Sequence, residues 1–270
     1  MTLLLRSGEW DEVTPESAGW SHLSFRTVRV DGRASFDLGD REVAIVPISG
    51  DATVTAAGAS WEVGGRADVW SARPRSVYLP RDTPFEVSGR AELAFCCAVA
   101  RERFEPVPIP PEAVTIEVRG SGNATRQISH IVPPEFPADR ILVVEVYTPS
   151  GNWSSYPPHK HDEERGAAEA ILEETYWFKN RPEPAGAFAV QRLYSPRHGL
   201  DLTETVRDGD ILLVPHGYHT TAAAHGYDLY YLNALAGDRR TMQSADDPDL
   251  AWIRPAWDAL EPDPRIPMVT

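Results

Sequence analysis

His159 and His161 stand two residues apart in YPPHKHDE, a spacing that on a β-strand sends both imidazoles to one face. Glu174 opens ETYWF, whose β-branched and aromatic residues read as a following strand. His219 comes after the apolar run Ile211 to Val214 and a glycine-containing turn, in GDILLVPHGYH. Three imidazoles and one carboxylate are a sufficient ligand set for a divalent metal that keeps positions open for a substrate. Zinc suits such a set, which also admits manganese, nickel or iron.

Short strands must position these groups. Residues 1–105 alternate apolar segments such as FRTVRV, EVAIVPIS, ATVTA, WEV, SVYLP, FEVSG and AELAFCCAVA with turn residues, and no amphipathic helix intervenes. A jelly roll fits best. The proline-dense FEPVPIPPE, Phe104 to Glu112, cannot supply ladder donors and reads as a connector. Residues 106–270 then present a second strand series that echoes the first, so the expectation is all-β: two tandem copies of one barrel. The histidine pair falls in the second. The first has no histidine between Leu23 and Ser129 and is expected to be metal-free and structural. A short helical patch is expected over Glu163–Leu172, and the tail from Asp246 to Thr270 is expected to pack outside a barrel.

Composition narrows the partners. The formal charge of −14 argues against nucleic acid and anionic membrane surfaces. It also means that an acidic substrate would need a locally basic pocket. No apolar run is long enough to span a bilayer, and MTLLLRSGEWDE lacks the features of a signal peptide, so a cytoplasmic location is expected. Cys96 and Cys97, adjacent in LAFCCAV, read as buried strand residues. The aromatic-rich tail would suit a homo-oligomer contact.

Several further residues invite a chemical reading. Arg192, in FAVQRLYSP, is either a paired surface arginine or a guanidinium inside the barrel, able to grip a carboxylate with two hydrogen bonds. Glu145, a carboxylate in the apolar VVEVY, is a candidate proton carrier. Tyr230 or Tyr218 could hydrogen-bond a sugar hydroxyl, although Tyr227, Tyr230 and Tyr231 are first of all core aromatics. Lys160 points away from its flanking histidines. His22, His130, His198 and His225 show no partner pattern, and His216 is ambiguous beside the glycine turn.

The HxH, the later Glu and the G-x5-P-x-G followed by His resemble the two cupin metal motifs. The longer strings GNWSSYPPHKHDE, LEETYWF, FAVQRLYSP, RDGDILLVPHGYH and GYDLYYLNALAG are similar to the 5-deoxy-glucuronate isomerase family of inositol catabolism. So are RGSGNATRQISHIV and ILVVEVYTP upstream. The resemblance implies a bicupin aldose–ketose isomerase acting on a small uronate. By family, 5-deoxy-glucuronate would become 5-dehydro-2-deoxy-gluconate. It fits metal ligation by His159, His161, Glu174 and His219 and tips Arg192 toward substrate binding; Glu145 and Tyr230 stand as the catalytic candidates, and Gln191 and Tyr218 join Arg192 as substrate-binding ones. Generic cupins place the Glu a few residues after HxH, where this chain has Arg165 and Gly166. Glu163 and Glu164 in a polar loop, and Glu173 next door, are therefore rivals to Glu174, which is favoured because a ligand needs a rigid strand. The alternatives are a 5-keto-4-deoxyuronate-type isomerase, a cupin Fe(II) oxygenase and a non-catalytic sugar-binding cupin.

Overall fold

The computed structural model describes residues 2–182 and 186–270. Its amino-terminal half is an antiparallel sheet in the order Glu12–Val13, Leu23–Phe36, Phe85–Val99, Arg41–Ala56, Ser76–Leu79 and Val107–Ile109, with Ala59–Arg66 also on Arg41–Ala56. Three of these strands are long, at 14, 16 and 15 residues. The segments FEVSG and AELAFCCAVA, separate in the sequence reading, form one of them. Gly89 sits at their junction because a Cβ there would meet the Asp51 carbonyl oxygen at 2.5 Å, so its backbone permits a close strand approach rather than a turn. The interior of this half is filled by Val43, Ile45, Val54, Leu79, Phe85, Leu93, Phe95 and other apolar side chains.

The second half is a barrel of two sheets. One runs Leu4–Leu5, Ile211–Val214, Glu173–Arg181, Asp228–Ala236, Leu142–Thr148, Arg126–Val132, Thr115–Arg119. The other runs Leu200–Val206, Ala189–Ser195, Tyr218–Ala223, Trp153–Lys160, Ala245–Asp246. The central strands of the seven-stranded sheet are buried on both faces. Val144, Val146, Tyr176, Phe178 and Tyr231 face the barrel interior, while Tyr147, Trp177, Tyr230 and Leu232 pack on Phe25, Ala44, Tyr78 and Cys96 of the first half. Two-sided burial explains why these strands read as nearly continuous apolar runs without alternation. Each large apolar side chain fully buried there contributes about 2 kcal/mol, which makes this layer a firm platform for Glu174.

Polar groups bridge the halves. Glu42 accepts hydrogen bonds from the backbone N–H groups of Asp139, Arg140 and Ile141 at 2.6–2.9 Å and from the Tyr78 hydroxyl at 2.7 Å. Strand pairing also departs from the expected boundary. Leu4–Leu5 pairs with Ile211–Leu212 of the second barrel, and Val107–Ile109, inside the expected connector, pairs with Ser76–Tyr78 of the first. The expected helical patch over Glu163–Leu172 is a loop. Its residues wrap around buried Glu169, which accepts from Lys160 at 2.7 Å, from the Arg165 guanidinium, and from the backbone N–H groups of Asp162 and Glu163 at 3.0 Å. The tail lies against the second half, where the Gln127 amide holds the backbone of Met268 and Val269. Cys96 and Cys97 are free and buried. Among the described residues no helix is long and apolar enough to cross a membrane.

Candidate metal centre

His159 and His219 are directly opposed across the Trp153–Lys160 and Tyr218–Ala223 strands of the five-stranded sheet. His161 follows at the strand end. Glu174 comes from the facing sheet, flanked by Val214 and Leu235. The four side chains therefore converge between the two layers. The glycine turn is specific: Gly217 has φ of +97°, and a Cβ there would meet the Tyr194 carbonyl oxygen at 2.6 Å. Its N–H donates to Asp162 at 2.8 Å and its carbonyl faces His219 Nδ1 at 3.2 Å, so the turn delivers and orients the ligand that follows it.

The donor set asks for a cation. His161 Nδ1 lies 2.9 Å from the Leu172 carbonyl oxygen, which can only accept, so Nδ1 carries the proton. The Gly217 carbonyl fixes His219 the same way. Both rings then aim Nε2 at one oxygen, Glu174 Oε2, at 2.9 and 3.2 Å. Neutral imidazoles would thus point lone pairs at a carboxylate, an arrangement that needs a positive charge between them. His219 Nε2 is buried without a hydrogen-bond partner, and His161, Glu174 and His219 each offer one ligand atom within 4.8 Å of the others. His159 stands beside these three without joining them within 4.8 Å, its ring centred 4.6 Å from that of His219. Burial, and then the neighbouring His219 and His161, keep His159 well below the ordinary histidine range, in the neutral form that binds metals.

His159 and Glu174 line a cavity of about 50 Å³ together with Arg119, Arg126, His130, Ser155, Tyr176 and Tyr231. Ser155 and Ser154 sit at a strand irregularity, Ser155 with φ of +49°. Both hydroxyls reach Tyr231, and Ser155 also reaches Tyr176 at 3.0 Å. On the far side Arg119 holds Glu117 with two hydrogen bonds at 2.7 and 2.9 Å, and Glu117 also accepts from His130 Nε2 at 3.0 Å. Arg126 and Arg119 were not singled out from the sequence, where His130 was read as lacking a partner pattern and Tyr231 as a core aromatic. The available signal was the period of two in RQISHIV, which puts Arg126, Ile128 and His130 on one face as surely as it pairs the histidines of HKH.

Other sequence candidates lie elsewhere. Glu145 and Tyr230 are on the opposite face of the seven-stranded sheet, 2.7 Å apart, with the Arg66 guanidinium 2.5 Å from Glu145. They occupy the seam between the halves, because alternation sends Val144, Val146 and Tyr231 to the cavity instead. Arg192 is on the outer face, its side chain 47% exposed, stacked on Tyr194 and 3.4 Å from Asp201. Tyr218 likewise points away from its neighbour His219 and packs on Tyr194. Gln191 is fully inside, and both its amide atoms lack partners, but it does not line the cavity of Glu174. Lys160 is tied to Asp162 and Glu169. His216 stacks on His198, with ring centroids 4.0 Å apart. The rival carboxylates are engaged elsewhere: Glu163 with Arg197, Glu164 with Arg239, and Glu173 with backbone of the first half.

The model of the KduI/IolB family matches residues 4–253. A 5-deoxy-glucuronate isomerase from Geobacillus thermodenitrificans strain NG80-2 is 42% identical over 247 residues, 89% of this chain and 89% of that protein. One from Bacillus subtilis strain 168 is 36% identical over 249 residues, 90% and 91% of the two chains. Among solved structures, an IolB-like protein from Salmonella typhimurium LT2 superposes with a TM-score of 0.89 at 34% identity, covering 94% of this chain and all of the other. Oxalate decarboxylase from Lactobacillus farciminis gives 0.61 at 14% identity over 87% of this chain and 82% of the other, a likeness of fold alone. Together with the strand layout above, these matches make the architecture a bicupin.

Proposed function

Because the chain belongs to the KduI/IolB family, we propose that it is a metal-dependent aldose–ketose isomerase that converts 5-deoxy-glucuronate to 5-dehydro-2-deoxy-gluconate. An isomerase activity accords with relatives of that name along nine-tenths of the chain. The observation that carries metal dependence is the convergence of His161 and His219 Nε2 on Glu174 Oε2, with His219 Nε2 otherwise orphaned.

Isomerisation takes the proton from C2, passes through an enediol and returns a proton to C1, with a matching shift between the two oxygens. No external oxidant is needed. A divalent cation held by His159, His161, Glu174 and His219 would polarise the carbonyl and stabilise negative charge on oxygen. The chain itself supplies the proton carrier. Glu117 engages His130 Nε2, and His130 Nδ1 has no hydrogen-bond partner. In this reading that nitrogen takes the C2 proton and gives it to C1, while Glu117 orients the ring and stabilises its charged form. Ser155, Tyr176 and Tyr231, already linked by hydrogen bonds, offer hydroxyls to the sugar. A hexuronate is far larger than the 50 Å³ cavity, so admission requires displacement of partly exposed lining side chains such as Arg119 and Met242.

The test is proton NMR in D₂O with 5-deoxy-glucuronate and metal-replete or chelated protein. Conversion to the ketose acid that depends on metal supports the reading. A fully loaded protein that leaves the uronate unchanged sinks it.

A further inference from the structure

We infer that Arg126 is the specificity residue of the site, anchoring the substrate carboxylate in the cavity that His159 and Glu174 also line. The inference rests on the isomerase reading above. Arg126 is 3% exposed and lines the cavity that Glu174 and His159 also line. Its guanidinium lies 5.8 Å over the Trp257 ring, and its Nη1 donates to the carbonyl oxygens of Ala124 and Tyr156, each at 3.1 Å. Those are its hydrogen bonds among the described residues. No carboxylate pairs with it there, although a guanidinium has five donors and a buried charge is normally matched by an opposite one.

The neighbours show why this is unusual. Arg119, across the same strand pair, is neutralised by Glu117. Arg66 and Arg140, also buried, have Glu145 and Asp238. Arg126 alone among these four keeps an uncompensated charge, and it does so facing the cavity. Burial costs the guanidinium part of its proton affinity, bringing it down to about 10, still fully charged at neutral pH. An anion entering the cavity restores the missing partner, and a carboxylate matches the guanidinium fork in shape. It also resolves a conflict of charge: a chain of net −14 can accept an acidic substrate through one local, desolvated cation. With the carboxylate held there, the aldehyde end is left for the histidine cluster.

The experiment compares two substrates on three proteins. Wild type, Arg126→Gln and Arg126→Lys are assayed with 5-deoxy-glucuronate and with 5-deoxy-glucose, in which the carboxylate is a hydroxymethyl group. The expected result is a loss of at least about 30-fold in kcat/KM for the uronate in Arg126→Gln, carried by KM, with the value for the neutral sugar unchanged. Arg126→Lys should fall between, since it keeps the charge and loses the fork. Equal losses on both sugars would assign Arg126 to holding Ala124 and Tyr156 and overturn the inference. So would an unchanged KM for the uronate. A second measurement needs no variant: calorimetry on chelated wild type, with glucuronate and glucuronamide as probes, should show the acid binding at least about 10-fold tighter. Equal affinities overturn the anchor even if the variants do not fold. Absence of turnover by wild type would count against the isomerase reading instead, and the calorimetric comparison distinguishes the two failures.

Discussion

Glu173 and Glu174 are consecutive residues whose carboxylates serve opposite faces of one sheet. Glu174 Oε2 lies 2.9 Å from His161 Nε2 inside the barrel. Glu173 leaves the barrel and accepts the backbone N–H groups of Ser21, His22 and Leu23 at 2.6, 3.0 and 2.8 Å, clamping the first half of the chain to the strand that carries the metal-site carboxylate. One dipeptide thus couples the candidate centre to the seam between the two halves.

This division predicts a clean separation of two nearly isosteric variants. Glu174→Gln should lose more than about 100-fold in metal affinity and the activity that depends on it, because the negative ligand is gone while the shape remains. Glu173→Gln should keep its metal and lose about 2 kcal/mol of stability, since charge-assisted acceptance from three N–H groups becomes neutral. Metal analysis alongside urea unfolding decides. Metal loss from both variants would show that the sheet does not insulate its two faces.

The buried pair Arg66–Glu145 predicts stability effects without chemical ones. Both side chains have no solvent exposure, and the Tyr147 and Tyr230 hydroxyls complete the carboxylate's shell at 3.2 and 2.7 Å. Glu145→Gln leaves a buried guanidinium without its counter-charge, a change that costs about 3–5 kcal/mol. Metal content should be unaffected, and activity below the melting transition should stay within a few-fold of wild type. A variant of normal stability with turnover abolished would return Glu145 to the chemistry.

How far the sequence disclosed this arrangement depends on the kind of signal. The spacing of HKH, the strand-like ETYWF and the glycine turn before His219 are local patterns, and local patterns survive folding, so the cluster was legible. Glu145 and Tyr230 show the limit. In a strand buried on both faces most positions are apolar or aromatic on either side, and nothing in VVEVY or LYYL marks which side faces which barrel. Arg192 misled for the related reason that its strand has one inner and one outer face, and only register separates it from Gln191. Arg126 and His130 were hidden because their partners, Trp257 and Glu117, are brought beside them by the tail and by strand pairing. The helix expected over Glu163–Leu172 failed to the same kind of competitor: a buried Glu169 collecting long-range donors outweighs the helix propensity of AAEA.

Glu117 provides a pH test. The hydrogen bond from His130 acts first; burial opposes it; the hydrogen bond and charge of Arg119 add to it, and the carboxyl is held at about 2 against an ordinary 4.5. A depressed carboxylate contributes stability that is complete above the unfolded value and is lost as pH falls through the folded one. Wild type should therefore lose this contribution between about pH 4.5 and about pH 2. Glu117→Gln should show a shallower decline of the urea midpoint across that window. Identical slopes for the two proteins would mean that the Glu117–His130 contact is not maintained in solution, and would remove the orienting group proposed for the proton carrier.

Metal removal should reach stability as well as turnover, because the site is built on two facing sheets. With cation present at about 100 times its dissociation constant, linkage adds about 2.7 kcal/mol to the folded state. Chelation should lower the melting temperature and abolish isomerisation, and readdition should restore both. His161→Gln should be inactive and nearly insensitive to chelator, since the cation no longer bridges the end of the Trp153–Lys160 strand to Glu174. A melting temperature that ignores chelator in a protein shown to bind metal would mean that the four side chains are held by the barrel alone. The short contact between His161 Nε2 and Glu174 Oε2 would then be bridged by a proton, and the cation would make no demand on the fold.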